Sequence, residues 1–176
     1  MDEEGILLME GQDDIIVCQR LFEHYSFLGV TIREPMEREK TGRFEKIHQT
    51  IRVWLKRSGL KRLGLVVDAD VDIQARWEFF RNILGEEGYH GLPKTPGKDG
   101  RIIKQNGRPT VGIWIMPDNN SVGMLEDFIA FLVPEGDQLL PLVEGCLDRI
   151  PVEHRRFRQR DRSKAKIHTY LVGLAR

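Results

Sequence analysis

Short apolar runs alternate with amphipathic stretches along this chain, and the alternation predicts its elements in order. Ile6 to Met9 is an unbroken apolar run closed by Glu10-Gly11, which predicts a strand. From Asp13 a helix follows, with Ile15, Cys18, Phe22 and Tyr25 on one face and Gly29 as its stop. Val30 to Arg33 predicts a weaker second strand, and residues 34–42 a charged loop. A second helix runs from about Phe44 to Ser58-Gly59, with Ile47, Ile51, Trp54 and Leu55 inward. Leu63 to Val67 reads as the central strand. Ile73, Trp77, Phe80 and Leu84 then mark a third helix ending near Gly88.

The pattern changes at residues 91–110, where glycine and proline are frequent and a loop-rich insertion is expected. Within it, Asn106-Gly107 separates Arg101–Lys104 from Thr110–Met116, a strong hairpin signal. The last core strand ends at Pro117-Asp118. A fourth helix follows from about Met124, with Leu125, Phe128, Ile129 and Leu132 apolar, and breaks at Pro134. A fifth spans about Gln138 to Asp148, carrying Leu139, Leu142, Val143 and Cys146. It tolerates Pro141 only if that residue lies in its first turn. After a basic connector, a last helix runs from about Ser163 to Leu174, with Ile167, Leu171 and Leu174 inward. Strand and helix alternate, so the expected class is α/β. The sheet is expected to hold four mostly parallel strands plus an antiparallel hairpin strand. A single domain is expected: a core over about 5–133, the insertion at 91–110 and a helical extension over 134–176.

Charge sharpens this picture at one stretch. The buried-strand run Gly64-Leu65-Val66-Val67 leads into Asp68-Ala69-Asp70-Val71-Asp72. Residues two apart on a strand share a face, so Asp68 and Asp70 are expected to point the same way, roughly 6.6 Å apart. Their repulsion, about 4 kcal/mol at short range and an effective dielectric of 20, calls for something positive: a divalent cation, a Lys or Arg, or a shared proton. Asp72 reads as the cap of the next helix. Sites in open parallel sheets form beyond the carboxyl ends of the strands. Three core strands here end in acid: Glu10, Asp68 with Asp70, and Asp118. Asp13 and Asp14 follow Glu10 closely, and Glu126 and Asp127 follow Asp118. Several carboxylates on one edge suit a hard divalent ion, Mg²⁺ or Mn²⁺. The first-turn acids also complement helix dipoles, whatever else they do.

Composition narrows the remaining choices. The chain has 176 residues, no net charge, 40% hydrophobic and 31% charged residues, which is a globular balance. Zero net charge argues against coating nucleic acid by bulk charge, though not against a local basic patch. Cys18 and Cys146 form no CxxC pair and read as reduced core thiols. No run approaches a membrane span, so a cytoplasmic protein with no membrane partner is expected. The histidines show no ligand spacing, and Trp54, Trp77 and Trp114 lie on apolar stripes that read as core.

The ordered pair of motifs, Glu10-Gly11-Gln12-Asp13-Asp14 after a first strand and Asp68-Ala69-Asp70 after a later one, resembles the Toprim domain. Bacterial primases, topoisomerases and the nucleases of the overcoming-lysogenization-defect (OLD) family share that domain, and the likeness covers about residues 5–120. Closest are the small stand-alone Toprim-like proteins of prokaryotes. The resemblance implies a three-layer α/β/α, Rossmann-like fold. It implies Mg²⁺ or Mn²⁺ held by Glu10, Asp14, Asp68 and Asp70, with Asp118 and Glu126 as further candidates. It also implies catalytic roles for Glu10, Asp68 and Asp70, with Lys164 as a candidate for stabilising charge. The activity implied is metal-dependent phosphodiester chemistry on nucleic acid, DNA or RNA, most simply that of a nuclease. The chain has no GxxxxGK[ST] loop. An ATPase would therefore be a separately encoded partner.

Two basic groups could track a polyanion: Arg149 to Lys166, and Lys94, Lys98, Arg101, Lys104 and Arg108 on the insertion. A solvated connector explains the first equally well. Two other classes stay open. One is a non-catalytic module that docks on a protein or nucleic acid. The other is a Mg²⁺-dependent phosphotransfer protein, a receiver domain or a haloacid-dehalogenase-type phosphatase. The phosphatase pattern, however, places its Asp-x-Asp after the first strand.

Overall fold

The computed structural model describes residues 5–27, 30–33 and 43–174. Among these the elements are β1 (Gly5–Met9), α1 (Gln12–His24), β2 (Thr31–Arg33), α2 (Arg43–Leu55), β3 (Arg62–Asp68) and α3 (Ile73–Glu86). After the insertion come β4 (Arg101–Ile103), β5 (Thr110–Met116), α4 (Leu125–Phe131), α5 (Leu139–Arg149) and α6 (Arg162–Leu174). Two 3₁₀ turns, Val152–His154 and Gln159–Asp161, join α5 to α6. The expected Gly29 stop and the 34–42 loop lie outside the described residues.

The protein is α/β, built on a mixed five-stranded sheet in the order β2-β1-β3-β5-β4. β1 pairs in parallel with both β2 and β3, and β3 with β5. β4 is antiparallel to β5. This is the expected set of four parallel strands with a hairpin strand on one edge. Because β1 and β3 are neighbours, with Met9 opposite Val66, the chain leaving each strand emerges at the same edge.

One sheet face is the main core. Ile6, Leu8, Leu63, Leu65, Val67, Val111, Ile113 and Ile115 alternate inward along β1, β3 and β5. α2 covers them with Ile47, Ile51 and Trp54, and α3 with Trp77, Phe80 and Leu84. Trp77 and Phe80 are fully buried, so truncating either to Ala should cost about 3–5 kcal/mol. Two hydrogen bonds moor the insertion to this layer: Trp77 Nε1 donates to the Pro93 carbonyl at 3.0 Å, and the Tyr89 hydroxyl to that of Pro109 at 2.8 Å.

The second face is covered unevenly. α1 lays Ile15 and Cys18 against Leu7, Met9, Ile32 and Val66. Beyond β3, Gly64 and Gly112 stand opposite each other and floor a hollow of about 250 Å³. Trp114, expected in the core, instead lines this hollow beside the exposed Ile102. Its strand position points it away from α3, to the face that α1 does not reach.

The C-terminal helices carry an apolar cluster of their own, in which Val143 and Leu147 of α5 meet Tyr170 of α6. Leu171 and Leu174, expected inward, are exposed, and so is Leu142. The inward stripe of α6 is Ile167 and Tyr170, and that of α5 is Val143 and Leu147. Tyr25, expected on the inner face of α1, follows that helix and is exposed too. Cys146 is exposed, while Cys18 is buried as expected. Pro141 is the third residue of α5, where its missing N–H has no helical partner to lose.

Candidate active site

Two adjacent strand ends and three helix starts enclose a polar cavity of about 100 Å³. Glu10 follows β1, Asp13 and Asp14 open α1, Asp68 ends β3, and Glu126 lies in the first turn of α4. Lys164, from the start of α6, is the cationic residue among the lining residues described. The backbone fixes the two motifs against each other. The Asp68 N–H donates to Glu10 Oε2 at 3.1 Å, and the Leu125 N–H donates to Asp68 Oδ1 at 3.0 Å. Asp68 thus joins the β1 end to the start of α4, with one carboxylate oxygen held by a backbone donor.

Burial sets the electrostatics. Asp14 is 6% exposed and Glu126 3% exposed. Asp14 Oδ1 and Glu126 Oε2 are buried with no hydrogen-bond partner. Burial of acid oxygens disfavours the ionised form where donors are few. Burial, then the charges of Asp14 and Glu10, pushes the Asp68 carboxyl up to about 8. Burial also raises Asp14 to about 6, its own backbone N–H working against this and Glu10 and Glu126 adding to it. Lys164 Nζ lies 3.5 Å from Glu126 Oε1, so it offsets one charge of the group.

Asp70 is a correction to the strand-face expectation. β3 ends at Asp68, and Asp70 has φ 53, a left-handed conformation outside the strand. Its backbone makes an isolated bridge with Gly123, the Asp70 N–H donating to the Gly123 carbonyl at 2.8 Å and the Gly123 N–H returning at 2.9 Å. The turned backbone takes the Asp70 side chain out of the cavity lining, and its carboxylate pairs with Arg76 of α3. Arg76 is the positive neighbour that the sequence reading missed. It stands four residues after Asp72, which caps α3 by accepting from the Ala75 N–H at 2.9 Å.

Asp118 is likewise absent from the cavity lining and works as a turn residue. It accepts from the Asn120 N–H, the Ser121 N–H and the Ser121 hydroxyl at 3.0, 2.7 and 3.0 Å. Burial acts to raise its carboxyl, but these donors, led by the Ser121 N–H, hold it below the usual carboxylate range. Asp127 is a bracket: it accepts from the Met124 N–H at 2.9 Å and from the Ser163 hydroxyl at 2.6 Å. The Ser163 contact fixes the start of α6 against α4 and was not legible in sequence.

The basic segment is largely engaged in its own fold. Arg162 pairs with Asp148, Lys166 with Glu144 and Arg158 with Asp161. Arg155 donates to the Ile150 carbonyl. Lys166 is less exposed than Lys164.

A family described as "Protein of unknown function (DUF3226)" matches residues 4–174. The chain belongs to this family. No curated protein and no solved structure matches it. Every acid and cation of the cavity in this DUF3226 protein falls inside the matched region.

The donor chemistry suits a hard divalent cation. The lining offers the carboxylate oxygens of Glu10, Asp13, Asp14, Asp68 and Glu126, and two of these oxygens, on Asp14 and Glu126, are buried without partners. As they stand, no three Asp, Glu, His or Cys side chains among the described residues are arranged as a metal-ligating group. The DUF3226 cavity therefore has the right atom types, with side-chain movement needed to gather them.

Proposed function

We propose that this cavity is a divalent-cation centre, Mg²⁺ or Mn²⁺, for phosphodiester hydrolysis on nucleic acid, in a Toprim-like fold. The observation that carries the reading is the pair of orphaned oxygens, Asp14 Oδ1 and Glu126 Oε2, in one small cavity with Asp68 and Glu10. A cation would relieve both the missing partners and the burial and mutual repulsion that raise the Asp68 and Asp14 carboxyls. Glu10, Asp14, Asp68 and Glu126 would hold it. When bound, it would supply Lewis acidity and an activated water.

The chain's own residues add two things. The Leu125 and Asp68 backbone N–H groups hold the Asp68 and Glu10 carboxylates in place, which limits reorganisation. Burial and the neighbouring acids also set when the centre can load: the proton held at Asp68, raised to about 8, must leave before a cation binds. The phosphodiester assignment draws on the Toprim resemblance of Glu10-Gly11 and Asp68-Ala69-Asp70.

Mn²⁺ titration at pH 8 tests the centre, and cleavage of single- and double-stranded DNA and RNA tests the activity. Heat of binding that disappears in Asp68→Asn, together with cleavage lost in the same variant, is the expected result. Wild-type protein that binds no Mn²⁺ removes the reading. The Asp70–Arg76 pair favours a second reading, a non-catalytic module that docks on a protein or nucleic acid. Tight nucleic-acid binding that is indifferent to a chelator would select it.

A further inference from the structure

α6 is braced on α5 by Lys166 with Glu144 and Arg162 with Asp148, and on the turn before α5 by the Tyr170 hydroxyl on Asp137 Oδ2. The two helices share their own apolar cluster, so they form a stiff pair. At its start, α6 is tied to α4 by the 2.6 Å hydrogen bond from Ser163 to Asp127. That tie sets the next residue, Lys164, in the cavity lining, where its ammonium meets Glu126 and its side chain is 44% exposed. Glu126 is nearly fully buried, and its second oxygen has no partner.

We propose that Lys164 is the cavity's resident counter-cation, held in place by Ser163–Asp127, and that an incoming divalent cation competes with it for Glu126. The competition rests on the metal-centre reading; the counter-cation assignment does not. One ammonium at 3.5 Å serves a single Glu126 oxygen, whereas a divalent ion could also serve the orphaned one. Lys164 would therefore stabilise the metal-free state and weaken metal uptake, the opposite of a supporting ligand. By linkage, the ion must release the Lys164 contact in proportion to its preference for the released state.

Two measurements on the full chain test this. The first is a double-mutant cycle of Lys164→Gln and Glu126→Gln, followed by urea unfolding in chelator-treated buffer. A coupling of at least ~3-fold in the folding equilibrium is expected, and none overturns the assignment. The second is Mn²⁺ calorimetry at pH 8 on wild type, Lys164→Gln and Lys164→Arg. Lys164→Gln should bind Mn²⁺ ~3- to 10-fold more tightly, with Lys164→Arg close to wild type. Unchanged or weaker binding by Lys164→Gln overturns the competition. If neither wild type nor Lys164→Gln takes up Mn²⁺ while the cycle shows coupling, the metal-centre reading fails and the counter-cation assignment stands.

Discussion

Asp68 and Asp70 stand two residues apart at the end of one strand, yet they belong to regions with opposite electrostatics. On the β1 side of β3, Asp68, Asp14 and Glu126 crowd a cavity with fewer donors than acceptor oxygens. On the β5 side, Asp70 has Arg76, and Asp118 has two N–H groups and a hydroxyl. The same residue type is left needing a cation in one place and is satisfied in the other. An acid at a strand end is thus a candidate ligand only where the surrounding backbone and side chains leave it short of donors.

The largest expected effect is on cation binding. Asp68→Asn and Glu126→Gln should each weaken Mn²⁺ binding by more than ~10-fold, about 1.4 kcal/mol, whereas Asp70→Asn should weaken it far less. Calorimetry on the three variants checks this. Equal losses for Asp68→Asn and Asp70→Asn would merge the two regions into one site.

Next in size is the pH dependence of that binding. A cation needs the Asp68 proton to leave, so Mn²⁺ affinity should climb by up to ~10-fold per pH unit through pH 6 and 7. It should level off above about pH 8, where Asp68 is already ionised. Proton release measured in two buffers of different ionisation enthalpy provides the check, and a flat profile would contradict the raised Asp68.

Stability without metal should move the opposite way. Asp68 is raised on folding, so the folded protein holds a proton that the unfolded chain releases between about pH 4 and 8. Its contribution is full below that window and lost as pH rises through it. Asp68→Asn escapes the loss, so its Tm in chelator should exceed wild type by at least ~3 °C at pH 9, with a smaller gain at pH 5. Equal gains at both pH values would mean that Asp68 is not held protonated.

On the satisfied side, smaller losses are expected. Asp118→Ala removes three hydrogen bonds from one turn and should lower stability by about 1–2 kcal/mol, without affecting Mn²⁺ binding. Arg76→Ala breaks a pair whose acid is half exposed and should cost about 1 kcal/mol or less. Urea unfolding of both variants at pH 7 measures this, and a change in Mn²⁺ affinity in either would couple the regions.

Local pattern was enough for the pocket's two motifs. Glu10-Gly11 and Asp68 lie beside apolar strand runs, and parallel strands put their carboxyl ends on one edge. Period-2 reasoning failed at Asp70 because it assumes that the strand continues. A left-handed residue breaks the alternation, and an Asp can adopt that conformation without announcing it in sequence. Lys164 was a candidate through the resemblance, but Ser163 as its anchor was not legible, since Asp127 lies 36 residues away. Leu171 and Trp114 show the same limit. A helix or strand face can be apolar without any neighbour to cover it.

The amino-acid pattern alone is sufficient for the α/β class, the strand and helix order, the hairpin insertion and the acidic edge. These follow from local periodicity and turn chemistry, which act over a few residues. Which of the acids share a cavity, which find Arg76 or Ser121, and how far burial raises Asp68 were decided by tertiary packing. Desolvation and donor supply depend on groups brought together from α1, α4 and α6, and no window of sequence contains them all.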